Sequence, residues 1–135
     1  MKNLFAVSFA LLFLFFSGCG NNKQVTGKVT FSDGKPVLTG TVIFVSGNFQ
    51  ARGEIEEGSY RLSSLSQNDG LPPGEYKVYV TGVLKPSDGK SGMGSFVSLC
   101  DDKYGNENTS GLACKVPVPG NTYDIVLDPH PKNYP

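Results

Sequence analysis

The chain of 135 residues carries three cysteines, one histidine and no tryptophan, so nucleophilic or metal chemistry would have to be assembled from few groups. Cys19, Cys100 and Cys114 form no Cys-x-x-Cys pair of the kind used for redox exchange or zinc. His130 lies between Pro129 and Pro131, close to the end of the sequence. A nucleophile needs its base held within hydrogen-bond reach, and a proline-flanked tail is expected to fray, so His130 reads as an exposed tail residue. Oxygen ligands gather at Asp101-Asp102, Asn106, Glu107 and Asn108. Carboxylate and carbonyl oxygens suit Ca²⁺, which makes Asp101, Asp102 and Glu107 the candidate ligands. Their spacing departs from the Asp-x-Asp-x-Asp-Gly loop and Lys103 interrupts them, so a solvated acidic loop is the default expectation. Glu54, Glu56 and Glu57 flank a turn and read as a solvated face. Gly89-Lys90-Ser91 ends like a phosphate loop, but Leu84 stands where the first glycine is required and no helical pattern follows. No cofactor and no resident metal are expected.

Composition bounds the rest. There are 12 basic and 12 acidic residues, and this balance excludes broad electrostatic attraction to nucleic acid. The chain has 17 Gly and 9 Pro, about a fifth of its residues, against a usual share of about 12%. Glycine and proline scattered among Val, Thr, Tyr and Phe imply turns between short strands in a single domain.

At the N-terminus, Lys2 precedes an apolar run from Leu4 to Phe16 broken only by Ser8. Thirteen residues are too few for a membrane span of about 20, and they have the length and flanks of a signal-peptide core. Phe16-Ser17-Gly18-Cys19 resembles a bacterial lipobox, with Phe16 where the family prefers Leu. The resemblance implies cleavage after Gly18 and a diacylglyceryl group with further acylation (palmitate among the chains) at Cys19. By resemblance to the sorting rules of two-membrane bacteria, Gly20 after Cys19 favours outer-membrane delivery. Residues 1–18 are then a removed signal, 19–23 the lipidated cysteine and a short tether, 24–128 the domain, and 129–135 a proline-rich tail.

Seven strands are legible within 24–128. Val25, Val29 and Phe31 alternate with Thr26, Lys28 and Thr30, the period-two pattern of a half-buried strand. Gly40 to Ser46 is apolar on both faces, as a central strand would be. Phe49–Ile55, Tyr60–Leu62, Glu75–Val83, Leu112–Val118 and Tyr123–Leu127 complete the set, with Tyr76, Val78 and Val80 on the core face. Residues 84–95 read as a loop. Asp33-Gly34, Glu57-Gly58 and Pro73-Gly74 supply the turns.

The order of these segments resembles carboxypeptidase regulatory-like, or transthyretin-like, domains. The opening, Val25-Thr26-Gly27-Lys28-Val29-Thr30 with Asp33-Gly34-Lys35-Pro36-Val37 and Gly40-Thr41-Val42, carries the likeness. So do Gly58-Ser59-Tyr60-Arg61-Leu62 and Pro73-Gly74-Glu75-Tyr76-Lys77-Val78. The resemblance implies an all-β, seven-stranded Greek-key β-sandwich of prealbumin type, and little about activity, because the fold hosts many functions. The hydrolytic branch is excluded, for the chain lacks its histidines and its C-terminal tetrapeptide.

Cys100 lies where related lipoproteins carry an apolar residue, and Cys114 shares a face with Leu112, Val116 and Val118. With Cys19 lipidated, a disulfide between Cys100 and Cys114 is expected in an exported protein; the alternative is two free thiols buried as small apolar groups. The leading functional expectation is a non-enzymatic, membrane-anchored envelope lipoprotein acting as a structural or protein-interaction module. A glycan-binding module with Tyr79, Phe49 and Tyr104 as ligand contacts is the alternative. A carboxylate-dependent hydrolase comes last.

Overall fold

A computed structural model describes residues 24–63, 70–87 and 95–135. The signal segment, Cys19 with its tether, and Gly89-Lys90-Ser91 lie outside the described residues. The fold is all-β: β1 Thr26–Phe31, β2 Thr39–Ser46, β3 Phe49–Glu56, β4 Ser59–Arg61, β5 Gly74–Thr81, β6 Leu84–Pro86, β7 Phe96–Ser98, β8 Leu112–Val116 and β9 Ile125–Leu127.

Seven strands form one mixed sheet in the order β8-β5-β2-β3-β4-β1-β9, and β6 and β7 form a separate ribbon. All ladders are antiparallel except β1 with β9, where Val29, Thr30 and Phe31 run parallel to Ile125, Val126 and Leu127. Alternation decides which side chains go inward. Along β3 the burial runs strictly in and out, with Ala51 and Ile55 inside and Arg52 and Glu54 outside. The sheet curls over its own apolar face. Phe44 at its centre meets Tyr123, just before β9, edge-on at 5.7 Å between centroids. Val29, Leu62, Val78, Ile125 and Leu127 close the core around it.

Close backbone approach at the curl depends on glycine. A Cβ on Gly27 would fall 2.0 Å from the Tyr123 carbonyl oxygen and 2.8 Å from the Tyr60 ring. The Tyr60 hydroxyl donates to that same carbonyl.

Three expectations are corrected. Residues 84–95 are not all loop, because Leu84, Lys85 and Pro86 pair with Ser98, Val97 and Phe96. The tail does not fray. Cys100 bridges Pro129, the His130 N–H donates to the Leu99 carbonyl at 2.8 Å, and the Tyr134 ring packs tilted against Phe31 at 4.6 Å between centroids. No disulfide forms, since Cys100 and Cys114 are both buried free thiols. Each does face the core, as alternation implied for Cys114 and the lipoprotein resemblance for Cys100, but their surroundings differ. Cys114 lies opposite Tyr76 and near Tyr60 and Tyr123, whereas Cys100 lies by Ser98, Asp101 and Asp102.

Candidate functional site

The ladder between β2 and β5 stops at Thr41 and Thr81, and the two chains then diverge. Gly40 (φ 145°) and Gly82 (φ 70°) stand at the fork, where the Gly40 Cα lies 3.7 Å from the place a Gly82 Cβ would take. Glycine allows both the positive φ and the close approach. Beyond the fork, Pro36–Thr39 runs along one side and Val83–Pro86 along the other. The gap is an apolar groove of about 390 Å³, which Phe31, Leu99 and Tyr134 also line. Ligand clefts span about 300–1,000 Å³, so the groove is of a useful size.

Large apolar side chains stand unburied around it. Leu38 is 63% exposed and Leu84 44%, and Phe96, across the ribbon from Pro86, is 62% exposed. Among the described residues, Lys35 and Lys85 are the only charged side chains that line the groove.

The docked tail builds one wall. The Asn133 side-chain amide donates to the Ser98 carbonyl at 3.0 Å, and the Tyr134 hydroxyl donates to Asp33 at 2.7 Å. That bond, then the Lys35 N–H and nearby charge, holds the Asp33 carboxyl below its ordinary value, and it pushes the Tyr134 hydroxyl up to about 12. The Lys35 ammonium lies 5.8 Å from the centre of the Tyr134 ring.

The docked tail also brings His130 close to Asp102, with Nε2 3.9 Å from the carboxylate. The His130 side chain is only 16% exposed, contrary to an exposed tail residue. Its Nδ1 accepts the Lys132 N–H at 3.2 Å, which leaves Nε2 as the protonated nitrogen facing Asp102. Burial pushes the nearby Cys100 thiol up, with Asp102 and Asp101 adding to the rise. A reactive cysteine requires the opposite shift.

The acidic loop is occupied with its own structure. Asp101 accepts the Lys103 N–H and caps a short 3₁₀ turn, Asp102–Gly105. Asp128 takes Lys103 at 2.8 Å and the Tyr104 hydroxyl at 3.0 Å, contacts that hold its carboxyl below the ordinary value. Asp102 is 82% exposed and Glu107 belongs to the following turn. Among the described residues, no three His, Cys, Asp or Glu side chains are grouped to hold a metal.

The three aromatic ligand candidates are dispersed. Tyr104 is 4% exposed and packs in the core, which removes it from the surface. Phe49 packs edge-on against Tyr76 at 6.1 Å. Tyr79 alone sits on the outer face of β5, within 3.5 Å of the Gln50 amide. They present no shared stacking platform.

A wider, polar groove of about 1,050 Å³ crosses β3, β4 and β1. Lys28, Arg52 and Arg61 line it together with Glu54, Glu56 and Asp124, so its charges interleave and cancel. Such a surface is well solvated as it stands.

Sequence reasoning passed over the apolar groove. Its signal was present in Leu38, Leu84 and Phe96, large apolar residues placed where the composition reads as loop. The chain matches no family model, no curated protein and no solved structure in the comparisons made with each.

Proposed function

We propose that this chain is a lipid-anchored protein of the bacterial cell envelope whose domain serves as a non-enzymatic protein-interaction module. The curled sheet is read as a transthyretin-like sandwich, with β8-β5-β2-β3 as one layer and β4-β1-β9 as the other. The packing of Phe44 on Tyr123 between them supports that reading. The lipobox-like Phe16-Ser17-Gly18-Cys19 supports the anchor, and Gly20 supports outer-membrane delivery. A single observation carries the function: Leu38, Leu84 and Phe96 are exposed together around an apolar groove that the described residues leave open.

Two measurements test this. Intact-mass analysis of detergent-extracted protein should show acyl chains on Cys19 and loss of residues 1–18. A photo-cross-linking residue at Leu84 or Leu38, in intact cells, should yield a discrete protein adduct, and one at the exposed Lys115 on β8 should not. An unmodified Cys19 would end the anchor, and equal labelling from all three positions would end the interaction face.

A further inference from the structure

The groove has a feature that apolar burial alone does not require: one of its walls is an open strand edge. The Leu99 N–H donates to the Val83 carbonyl at 2.9 Å and the Ser87 N–H to the Ser95 carbonyl at 2.8 Å. In an antiparallel ladder such pairs alternate, so Val83, Lys85 and Ser87 direct their backbone groups toward β7. The Leu84 N–H and C=O and the Pro86 C=O therefore face the other edge. No residue of β7 lines the groove, whereas Leu84, Lys85 and Pro86 do, so this is the edge that opens on it. On the far side lies Pro36–Thr39, the run leading into β2, and the β2–β5 ladder has already ended at the fork. An edge of this kind is a template for an added strand, and nothing in the described chain uses it.

Charge narrows the occupant. The two charged side chains that line the groove among the described residues, Lys35 and Lys85, are both cationic, Tyr134 staying neutral with its hydroxyl pushed up to about 12, and Lys85 makes no ion pair among those residues. Lys35 is partly balanced by Asp33 at 3.9 Å. The walls are otherwise apolar. We infer that the groove binds an extended segment of a partner protein as an added strand, with apolar side chains at alternate positions and a carboxylate set against Lys85. The inference rests on the interaction-module reading and specifies what that module recognises. Main-chain bonds to Leu84 would supply register, alternate apolar side chains would fill the space beside Phe31 and Leu99, and the lysines would select acidic over basic partners.

The test is selection of a random heptapeptide display library on the full-length, detergent-solubilised protein. Enriched peptides should alternate apolar residues and carry Asp or Glu. Binding of the best synthetic peptide should weaken at least tenfold when its central amide is N-methylated, a change that leaves its side chains in place. Replacing both lysines (Lys35→Glu with Lys85→Glu) should reverse the preference from acidic to basic peptides. Lys35 is exposed and Lys85 half-buried, and an unchanged melting temperature of the double variant shows that the fold is kept. Enrichment without period-two apolar residues, indifference to N-methylation, or indifference to the double charge reversal each overturns the inference. So does stoichiometric laurate binding with no peptide enriched, which would assign the groove to an acyl chain. Discrete cross-links from Leu84 alongside patternless peptides would refute strand addition and leave the interaction face standing. Peptide binding without cellular cross-links would do the reverse.

Discussion

Gly27→Ala adds one methyl group where the structure has least room for it. The new Cβ would lie 2.0 Å from the Tyr123 carbonyl oxygen, and ordinary contact begins at about 3.4 Å, so the backbones must part by about 1.4 Å. The obstacle is main chain and not the end of a flexible side chain, which makes the movement expensive. Two hydrogen bonds hang on this approach, the Tyr123 N–H to the Thr26 carbonyl at 2.9 Å and the Tyr60 hydroxyl to the Tyr123 carbonyl. Overpacking costs about 1–3 kcal/mol, and each lost hydrogen bond about 0.5–1.5 kcal/mol. The expected loss is therefore about 4 kcal/mol, or a melting temperature lower by roughly 15 °C for a domain of this size. Urea denaturation of the full chain followed by circular dichroism measures it. Gly105→Ala is the matched control, because nothing lies within 4 Å of its Cβ position, and it should change stability by less than about 0.5 kcal/mol. A Gly27→Ala loss below about 1 kcal/mol would refute the argument that β1 and the Tyr123 segment are held at this distance.

Other outcomes follow from the same structure. Phe44→Ala should cost about 3–5 kcal/mol by the same assay, because Phe44 is fully buried, whereas Phe96→Ala should be nearly neutral. A thiol reagent should leave Cys100 and Cys114 unreacted in the folded protein and find both in denaturant; a persistent disulfide in alkylated, non-reduced protein would contradict the unbridged pair. Asp33 and Asp128 are held below their ordinary value of 3.8 in the folded state, so their contribution is complete above that value. It should vanish as pH falls through the lower folded values, and Asp33→Asn with Asp128→Asn should flatten this acid limb of the melting-temperature profile. Tyr134 has the opposite sense: its stabilisation is present below pH 10, is lost as pH rises toward about 12, and should be absent from Tyr134→Phe.

Strands longer than four residues were legible because their side chains alternate against a buried face. β1, β2, β3, β5 and β8 lie within two residues of the limits that pattern implies. The short strands β4 and β9 were also placed, but β6 and β7 were not, since they flank a Gly/Ser/Lys-rich stretch that reads as loop and Pro86 breaks the strand pattern of β6. The tail was misread for a different reason. Its prolines describe local stiffness, and its order comes from distant partners such as Phe31, Asp33 and Ser98, which no local pattern encodes. Alternation placed Cys114 inward and the resemblance placed Cys100 so, but neither says anything of lateral separation, which decides whether two thiols meet. The groove escaped notice because it arises where two strands stop pairing, a property of register rather than of any one segment.

The position of β1 also has a mechanical consequence. It has β4 on one side and β9 on the other, and Gln24, just before it, is tied to the Leu62 carbonyl at 2.7 Å. A pull on the N-terminal side of the domain, directed along β1, loads these two ladders in shear. Their bonds then share the force together and do not open one after another. Tension arriving through the front of the chain meets the strand that is gripped from both edges.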